Sequence, residues 1–399
     1  MKTCGLDVHK DSIFCAIYNG KSYSEVKEYD TMTNSIRQMG NYLISEGIQE
    51  VAMESTGCYW VQVWDILLEM GFTLHLVNPF LIKQMPGRKS DVKDAQWIAC
   101  LLNKGLIRDS VVPSPTIQEL RTYSRKYTKL QQQKTQALQK MDRIMIMCGI
   151  RISSCMSNLS TKSVMNIVTA LISGESDPDK LIKLVYGNTA NKQSGKLREA
   201  LTGNVKEHFR TQLKWEKAEY DLFESQTEDC LIQMERICNE KYSEQMTNLC
   251  TIPGVSLISA MQIIAETGAD MSLFETSGKL TGWAGLRPRN DESAGKYKST
   301  AITKGNKYLK SNLVQAAWAG SRTKGSFFME TFARLSIRKS RKKALIAVAR
   351  KILVVVWNIL SENKAYNPAL VPVYDPAKLS KKIRYHQKEA ERIEKLLER

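Results

Sequence analysis

The spacing of apolar and polar positions changes along the chain, and each change marks a boundary. Residues 3–18 (TCGLDVHKDSIFCAIY) hold two apolar runs around a polar turn, the second rich in β-branched and aromatic side chains, and predict two strands. A helix is expected over 34–47, then a short buried strand from Glu50 to Glu54, a Ser55-Thr56-Gly57 turn and an amphipathic helix from Tyr59 to Met70. Residues 72–78 (FTLHLVN) predict a further strand and Asp91 to Leu102 a helix. Strands alternating with helices make an α/β domain, ending near Pro113 or Pro115.

From Thr116 to about Met147 the chain has no proline or glycine and is rich in Gln, Lys and Leu, which predicts one long helix of coiled-coil type. A second uninterrupted stretch, roughly Val205 to Cys250, reads the same way, while residues 153–204 between them are Ser-, Asn- and Lys-rich. Two long helices facing each other, with an insertion at the tip, suit an arm that dimerises or grips nucleic acid; an ordinary helical bundle explains the same periodicity. From Ile252, the segment IPGVSLISAMQIIAETG sets Pro253-Gly254-Val255 between two helical patterns, as in a helix-hairpin-helix, where the glycine lets backbone N–H groups approach a phosphate. The expected fold class is therefore α/β plus α. It comprises an α/β domain over 1–115, a helical arm with an insertion over 116–248, a mostly helical domain over 249–375 and a charged helix over 376–399.

Charge changes the picture. The chain of 399 residues carries 58 Lys and Arg against 41 Asp and Glu, a net +17, and a field of that sign attracts nucleic acid first and an anionic membrane second. Between Lys279 and Lys351 stand 18 basic residues against three acids, Asp291, Glu292 and Glu330, so the surplus belongs almost wholly to one region. The apolar stretch Ile352 to Leu360 is too short to span a bilayer, so no membrane is expected. Nine scattered cysteines with no C-x-x-C pair, and four histidines, give no basis for a structural zinc site and fit a reduced, cytoplasmic protein.

Four acids stand out by position. Asp7 falls at the end of the first strand and Glu54 at the end of EVAME, while Asp91 and Asp94 lie three apart at the start of a helix and share a face. Such a set suits two Mg²⁺ (or Mn²⁺) ions about 3.5–4 Å apart, one activating the attacking oxygen and one stabilising the leaving oxygen. Taken singly, Asp91 reads equally as a helix N-cap and Asp94 as a first-turn acid answering the helix dipole.

The runs GLDVHKD, ESTGCYW and KSDVKDAQWIA together resemble the N-terminal DEDD domain of the insertion-sequence 110 family of bacterial transposases. The stretches IPGVSLISAMQIIAETG, FETSGKLTGWAGLRPRNDESAGK and TAITKGNKYLKSNLVQAAWAGSR resemble that family's C-terminal domain. The resemblance implies a ribonuclease-H-like, RuvC-like N-terminal fold with Asp7, Glu54, Asp91 and Asp94 as metal ligands. It also implies a recombinase guided by a structured bridge RNA that pairs with donor and target DNA. Partners on this reading are both DNAs, the RNA and further copies of the chain, a dimer or, in the synapse, a tetramer, acting at the nucleoid.

In that family a nucleophilic serine follows a Gly-Leu-x-Pro-Arg turn. Here the run is Gly285-Leu286-Arg287-Pro288-Arg289-Asn290-Asp291-Glu292-Ser293-Ala294-Gly295-Lys296, and Ser293 takes the matching position. Ala294 stands where the family often has glycine, and Glu292 sets an acid beside the nucleophile; Ser299 is the reserve candidate. Arg287, Arg289, Lys296, Lys298, Lys304 and Lys307, with the run Arg338, Lys339, Arg341, Lys342 and Lys343, are the expected nucleic-acid contacts, and those near Ser293 suit a scissile phosphate equally well. Trp283, Tyr297 and Tyr308 are candidates for base stacking, whereas Trp318, in an apolar run, reads as core. Two rivals stay open: a metal nuclease that cuts branched DNA with water, and a non-catalytic nucleic-acid-binding protein.

Overall fold

A computed structural model describes residues 2–55, 57–77, 90–107, 109–186, 194–289 and 301–368. It also gives the backbone of 291–293 and 296–299, with the Ser299 side chain, and scattered positions of the tail (380, 383–385, 387–391 and 394). The chain divides into two compact units, residues 1–113 and 114–399.

The first unit is built on five strands: β1 (Thr3–Val8), β2 (Ser12–Tyr18), β3 (Lys27–Asp30), β4 (Glu50–Glu54) and β5 (Thr73–Val77). Their order is β3-β2-β1-β4-β5, with β1 antiparallel to β2 and parallel to β4, β2 antiparallel to β3, and β4 parallel to β5. Only β2 runs against the rest, which is the arrangement of a ribonuclease-H-like sheet. The first two strands, β4, β5 and the helices fall where the sequence pattern puts them. β3 was not foreseen, because KEYD is a mostly exposed edge strand with no apolar alternation to betray it.

Alternation along β1 sorts its side chains between two helical layers. Cys4, Leu6 and Val8 enter the core shared with α1 (Thr33–Ser45) and α2 (Trp60–Glu69), through Ile36, Met39, Leu43, Val63, Ile66 and Leu67. Thr3, Gly5 and Asp7 face the other way, toward α3 (Asp91–Asn103). There Thr3 Oγ1 donates to the Ala99 carbonyl at 2.9 Å, and a Cβ on Gly5 would overlap the backbone of Ala95 and Ala99. A second small core of Ala52, Val77, Ile98 and Leu102 closes this side.

The second unit contains the two long helices, α4 (Pro115–Met147) and α8 (Glu207–Lys241). Three ion pairs set their direction: Arg236 with Glu119 at 3.0 Å, Lys134 with Glu224 at 3.1 Å and Lys140 with Glu216 at 3.1 Å. Partners rise on one helix as they fall on the other, so the pair is antiparallel. The insertion between them is itself folded. Helices α5 (Lys162–Ile172), α6 (Pro178–Ile182) and α7 (Ser194–Leu201) bury Val164, Ile167, Leu171, Leu181, Leu197 and Leu201 with Met141 and Leu213 of the long helices. The expected uninterrupted stretch over 205–250 is corrected: it breaks at Tyr242, whose backbone (φ −138°, ψ 25°) leaves the helical region, and α9 (Ser243–Cys250) follows.

At their other end the long helices join a core of α9, α10 (Leu257–Thr267), α11 (Ser277–Trp283), α12 (Lys307–Gly320), α13 (Phe327–Ser336) and α14 (Arg341–Glu362). Gly254, at φ +94°, makes the turn from α9 to α10, but the space a Cβ would take is filled by the backbone of Ala316 and Gly320 of α12. The glycine here permits close packing of that turn against α12. α14 is long and apolar enough to cross a membrane by length and composition. It packs as a core helix instead, burying Val348, Ile352, Leu353 and Val356, with the Trp357 indole donating to the Phe274 carbonyl at 2.9 Å. The tail helix expected over 376–399 lies mostly outside the described residues, and 383–385 and 387–391 are helical.

Candidate functional site

Two parallel strands and one helix bring the four acids together. β1 and β4 are neighbours with Leu6 opposite Met53, so the next residue of each, Asp7 and Glu54, sits at the C-terminal edge of the sheet. That edge is where open α/β sheets gather their ligands. Both residues are buried. Ser90, not Asp91, caps α3, its Oγ accepting from the Lys93 amide at 3.4 Å, so the N-cap reading of Asp91 is set aside. Asp91 and Asp94 occupy the first turn of α3.

The electrostatics show how tightly the set is gathered. Burial pushes the Asp7 carboxyl up to about 6; His9 pulls it down, and the carboxylates of Glu54, Asp94 and Asp91 push it further up. A buried acid that three other acids disfavour is a site short of positive charge. Among the described residues His9 is the one basic partner acting on Asp7, its Nε2 lying 3.2 Å from Asp7 Oδ2 and 3.5 Å from Asp91 Oδ1. Ligand atoms of Asp7, His9 and Asp91 all fall within 4.8 Å of one another. Carboxylate oxygens short of positive charge fit a divalent ion. The sequence reading passed over His9, although GLDVHKD has it two residues beyond Asp7.

The segment that carries Ser293 is a β-hairpin inside a helical region, which the sequence pattern did not foretell. β6 (Asp291–Ser293) pairs antiparallel with β7 (Lys296–Ser299), with Ser293 opposite Lys296. The side chains of Ser293, Lys296 and Lys298 lie outside the described residues, as do Ala294 and Gly295; Ser299 Oγ accepts from the Ala301 amide at 3.2 Å. At the base, the Arg289 amide donates to the Ala301 carbonyl and the Thr303 amide to the Arg287 carbonyl, and Gly285 and Gly305 meet backbone to backbone.

A family model described as DEDD_Tnp_IS110, a transposase, matches residues 4–147, and that of the transposase IS116/IS110/IS902 family matches residues 246–332. The first match holds all four acids and the second holds the hairpin. The chain belongs to the IS110 family of transposases. Among its relatives are a pilin gene-inverting protein of Moraxella bovis, 27% identical over 133 residues (33% of this chain, 41% of that protein), and the transposase for insertion sequence element IS1111A of Coxiella burnetii, 29% identical over 133 residues (32% and 35%). The alignments thus span about two fifths or less of the relatives' own length. Two structures of Thermus thermophilus RuvC, one with a Holliday junction substrate, match 28% of this chain and 99–100% of their own at 13% identity. Their TM-scores are 0.23 and 0.21.

In this IS110-family chain the expected cations stand on the surface wherever they are described. Arg287, Arg289, Lys304 and Lys307 are exposed. Lys304, Lys307 and Lys310, the last not singled out from the sequence, line an open groove of roughly 700 Å³ at the start of α12. Arg338, Lys339, Arg341, Lys342 and Lys343 are exposed over the turn from α13 and the first turn of α14. Cations at a helix N-terminus oppose the macrodipole, and α14 has no acid in its first turn to offset them. Trp318 corrects its assignment to the core: it is 41% exposed, with the Arg322 guanidinium 4.1 Å above the ring. Trp283 is exposed at 38%, Tyr308 lies beneath Arg125 and Lys307, and the Tyr297 side chain is outside the described residues.

Beneath the hairpin base is a buried acid that sequence reasoning missed. Glu266, 2% exposed at the end of α10, accepts both arms of the Arg125 guanidinium at 2.8 Å and the Asn306 side-chain amide. Arg121 donates to the Ala265 and Glu266 carbonyls at 2.9 and 2.8 Å. Asn306 in turn caps α12. In sequence, Glu266 is one acid in IIAETG, and nothing local says that α4 and α12 converge on it.

Proposed function

We propose that this chain is the recombinase of an insertion sequence, cutting and rejoining donor and target DNA under the guidance of a bridge RNA. The observation that supports the reading is that the carboxylates of Glu54, Asp94 and Asp91 all bear on the buried Asp7 carboxyl, leaving it short of positive charge. Membership of the family supplies the rest. Asp7, Glu54, Asp91 and Asp94 would hold Mg²⁺ or Mn²⁺, whose chemistry is to polarise the scissile phosphate and stabilise the leaving oxygen.

The chain's own residues then divide the work. Ser293 is the nucleophile: its oxygen forms the new bond to phosphorus as the bond to the leaving deoxyribose oxygen breaks, its proton passing to a base and the leaving oxygen taking one up. The phosphodiester bond is conserved as a phosphoserine ester, so rejoining needs no ATP. Arg287, Arg289, Lys296, Lys298, Lys304 and Lys307 bind the phosphate backbone near the cut, and Arg338, Lys339, Arg341, Lys342 and Lys343 extend that contact. The long antiparallel helices serve assembly of two or more copies on nucleic acid, in the cytoplasm and at the nucleoid.

The test is cleavage by the full chain with its copurifying RNA and DNA bearing an element end. Cleavage in Mg²⁺ is expected, with loss in excess chelator and in Asp7→Asn or Asp94→Asn, while nucleic-acid binding persists. Full cleavage in chelator refutes the metal site.

A further inference from the structure

β1 ends at Val8, and the chain reverses at once into β2, the His9 amide donating to the Ser12 carbonyl at 2.9 Å. That tight turn holds the His9 ring at the C-terminal edge of β1, edge-on to Phe14 (centroids 6.1 Å apart, planes at 80°). His9 Nε2 approaches Asp7 Oδ2 to 3.2 Å and Asp91 Oδ1 to 3.5 Å, yet it is a solvent-shielded atom with no hydrogen-bond partner among the described residues, although other parts of the ring are exposed.

The spacing discriminates between two roles. An imidazolium serving as counter-ion makes a short, directed hydrogen bond to one carboxylate. Ligands at right angles around an octahedral ion, each about 2.1 Å from it, stand about 3 Å apart without any hydrogen bond between them. The separations of 3.2 and 3.5 Å, with the orphaned Nε2, match the second case. We propose that His9 is a metal ligand, placing one imidazole nitrogen beside Asp7 and Asp91 in the carboxylate site. The proposal rests on the reading of that site as a metal centre.

The consequence is selectivity. Mg²⁺ favours oxygen donors, whereas affinity for imidazole rises among the first-row transition ions, so a nitrogen ligand shifts preference toward Mn²⁺. Neutral imidazole binds through its lone pair, and Nε2 is the nitrogen that faces the carboxylates.

The experiment titrates the full chain with Mn²⁺ alone and records pulsed electron paramagnetic resonance of the bound ion. Nitrogen-14 modulation is expected in the unchanged chain and is expected to vanish in His9→Ala. Mn²⁺ affinity should fall on the order of tenfold or more, as at other sites that lose a metal-orienting partner, while Mg²⁺ affinity, measured by competition, changes about twofold or less because that ion favours oxygen donors. Mn²⁺ bound with an affinity that Asp7→Asn abolishes, but without nitrogen-14 modulation, overturns the His9 assignment alone. No Mn²⁺ binding by the unchanged chain, or binding indifferent to Asp7→Asn, overturns the metal centre and the His9 assignment together. The measurement on the unchanged chain does not depend on any variant folding.

Discussion

Gly5 of β1 lies against Ala99 of α3 backbone to backbone, with no room for a Cβ between them. That approach draws α3 onto the sheet face from which Asp7 projects two residues later, and so brings the first turn of α3, with Asp91 and Asp94, to the same place. The sheet and the helix make the site together, and Gly5 is where they touch.

Gly5→Ala should therefore act on the site from a distance. The added methyl must push α3 away, and overpacking of this kind costs about 1–3 kcal/mol. Thermal unfolding should fall accordingly, and Mn²⁺ affinity should fall with it although no acid has changed. A variant with full stability and full metal affinity would show that the contact is slack.

Asp7→Asn should do the opposite to stability while abolishing cleavage. The Asp7 carboxyl is held up at about 6, so the folded state binds its proton more tightly than the unfolded chain does. Its ionisation then costs stability: metal-free protein should lose stability as pH rises from about 4 to about 6 and stay lower above that. Removing the charge should return on the order of 3 kcal/mol at pH 7. Denaturant unfolding in chelator at pH 5 and 7.5 measures it, and a variant less stable than the parent at pH 7.5 contradicts the reading.

Much of this site could be read in the sequence, for a physical reason. Strand ends and helix starts leave local signatures, and Asp7, Glu54, Asp91 and Asp94 sit on such ends. What could not be read depends on contacts distant along the chain. Glu266 is bound by Arg125, 141 residues away, and by Asn306, 40 residues away. β3 is an exposed edge, and Trp318 lies in an apolar run whose outer side is open to solvent. His9 was in plain view in GLDVHKD. What the run could not show is that α3 folds back to set Asp91 within 3.5 Å of the His9 ring.

The Glu266 hub carries its own expectation. Glu266→Gln leaves Arg125 half-buried without its carboxylate, and breaking a buried pair costs about 3–5 kcal/mol, toward the low end where one partner keeps solvent contact. Chemical denaturation should show this loss, and a change below about 1 kcal/mol, the range of exposed pairs, would mean that the pair is solvent-screened.

Neutralising Arg338, Lys339, Arg341, Lys342 and Lys343 together should flatten the dependence of nucleic-acid affinity on salt. Each phosphate contact contributes about 0.9 to the slope of log affinity against log salt on duplex DNA, so five lost contacts lower its magnitude by about 4 to 5. An unchanged slope assigns the run to solvent or to a protein partner.

On the proposed function the hairpin serine is expected to join the chain to DNA. Reaction on a DNA substrate whose cut end cannot be resealed, followed by denaturing gel and peptide mass spectrometry, tests it directly. The account expects a covalent protein–DNA species that needs a divalent ion, carries the nucleotide on Ser293 and disappears in Ser293→Ala. Cleaved DNA with no covalent species, or recombination by Ser293→Ala at the parent rate, would contradict it.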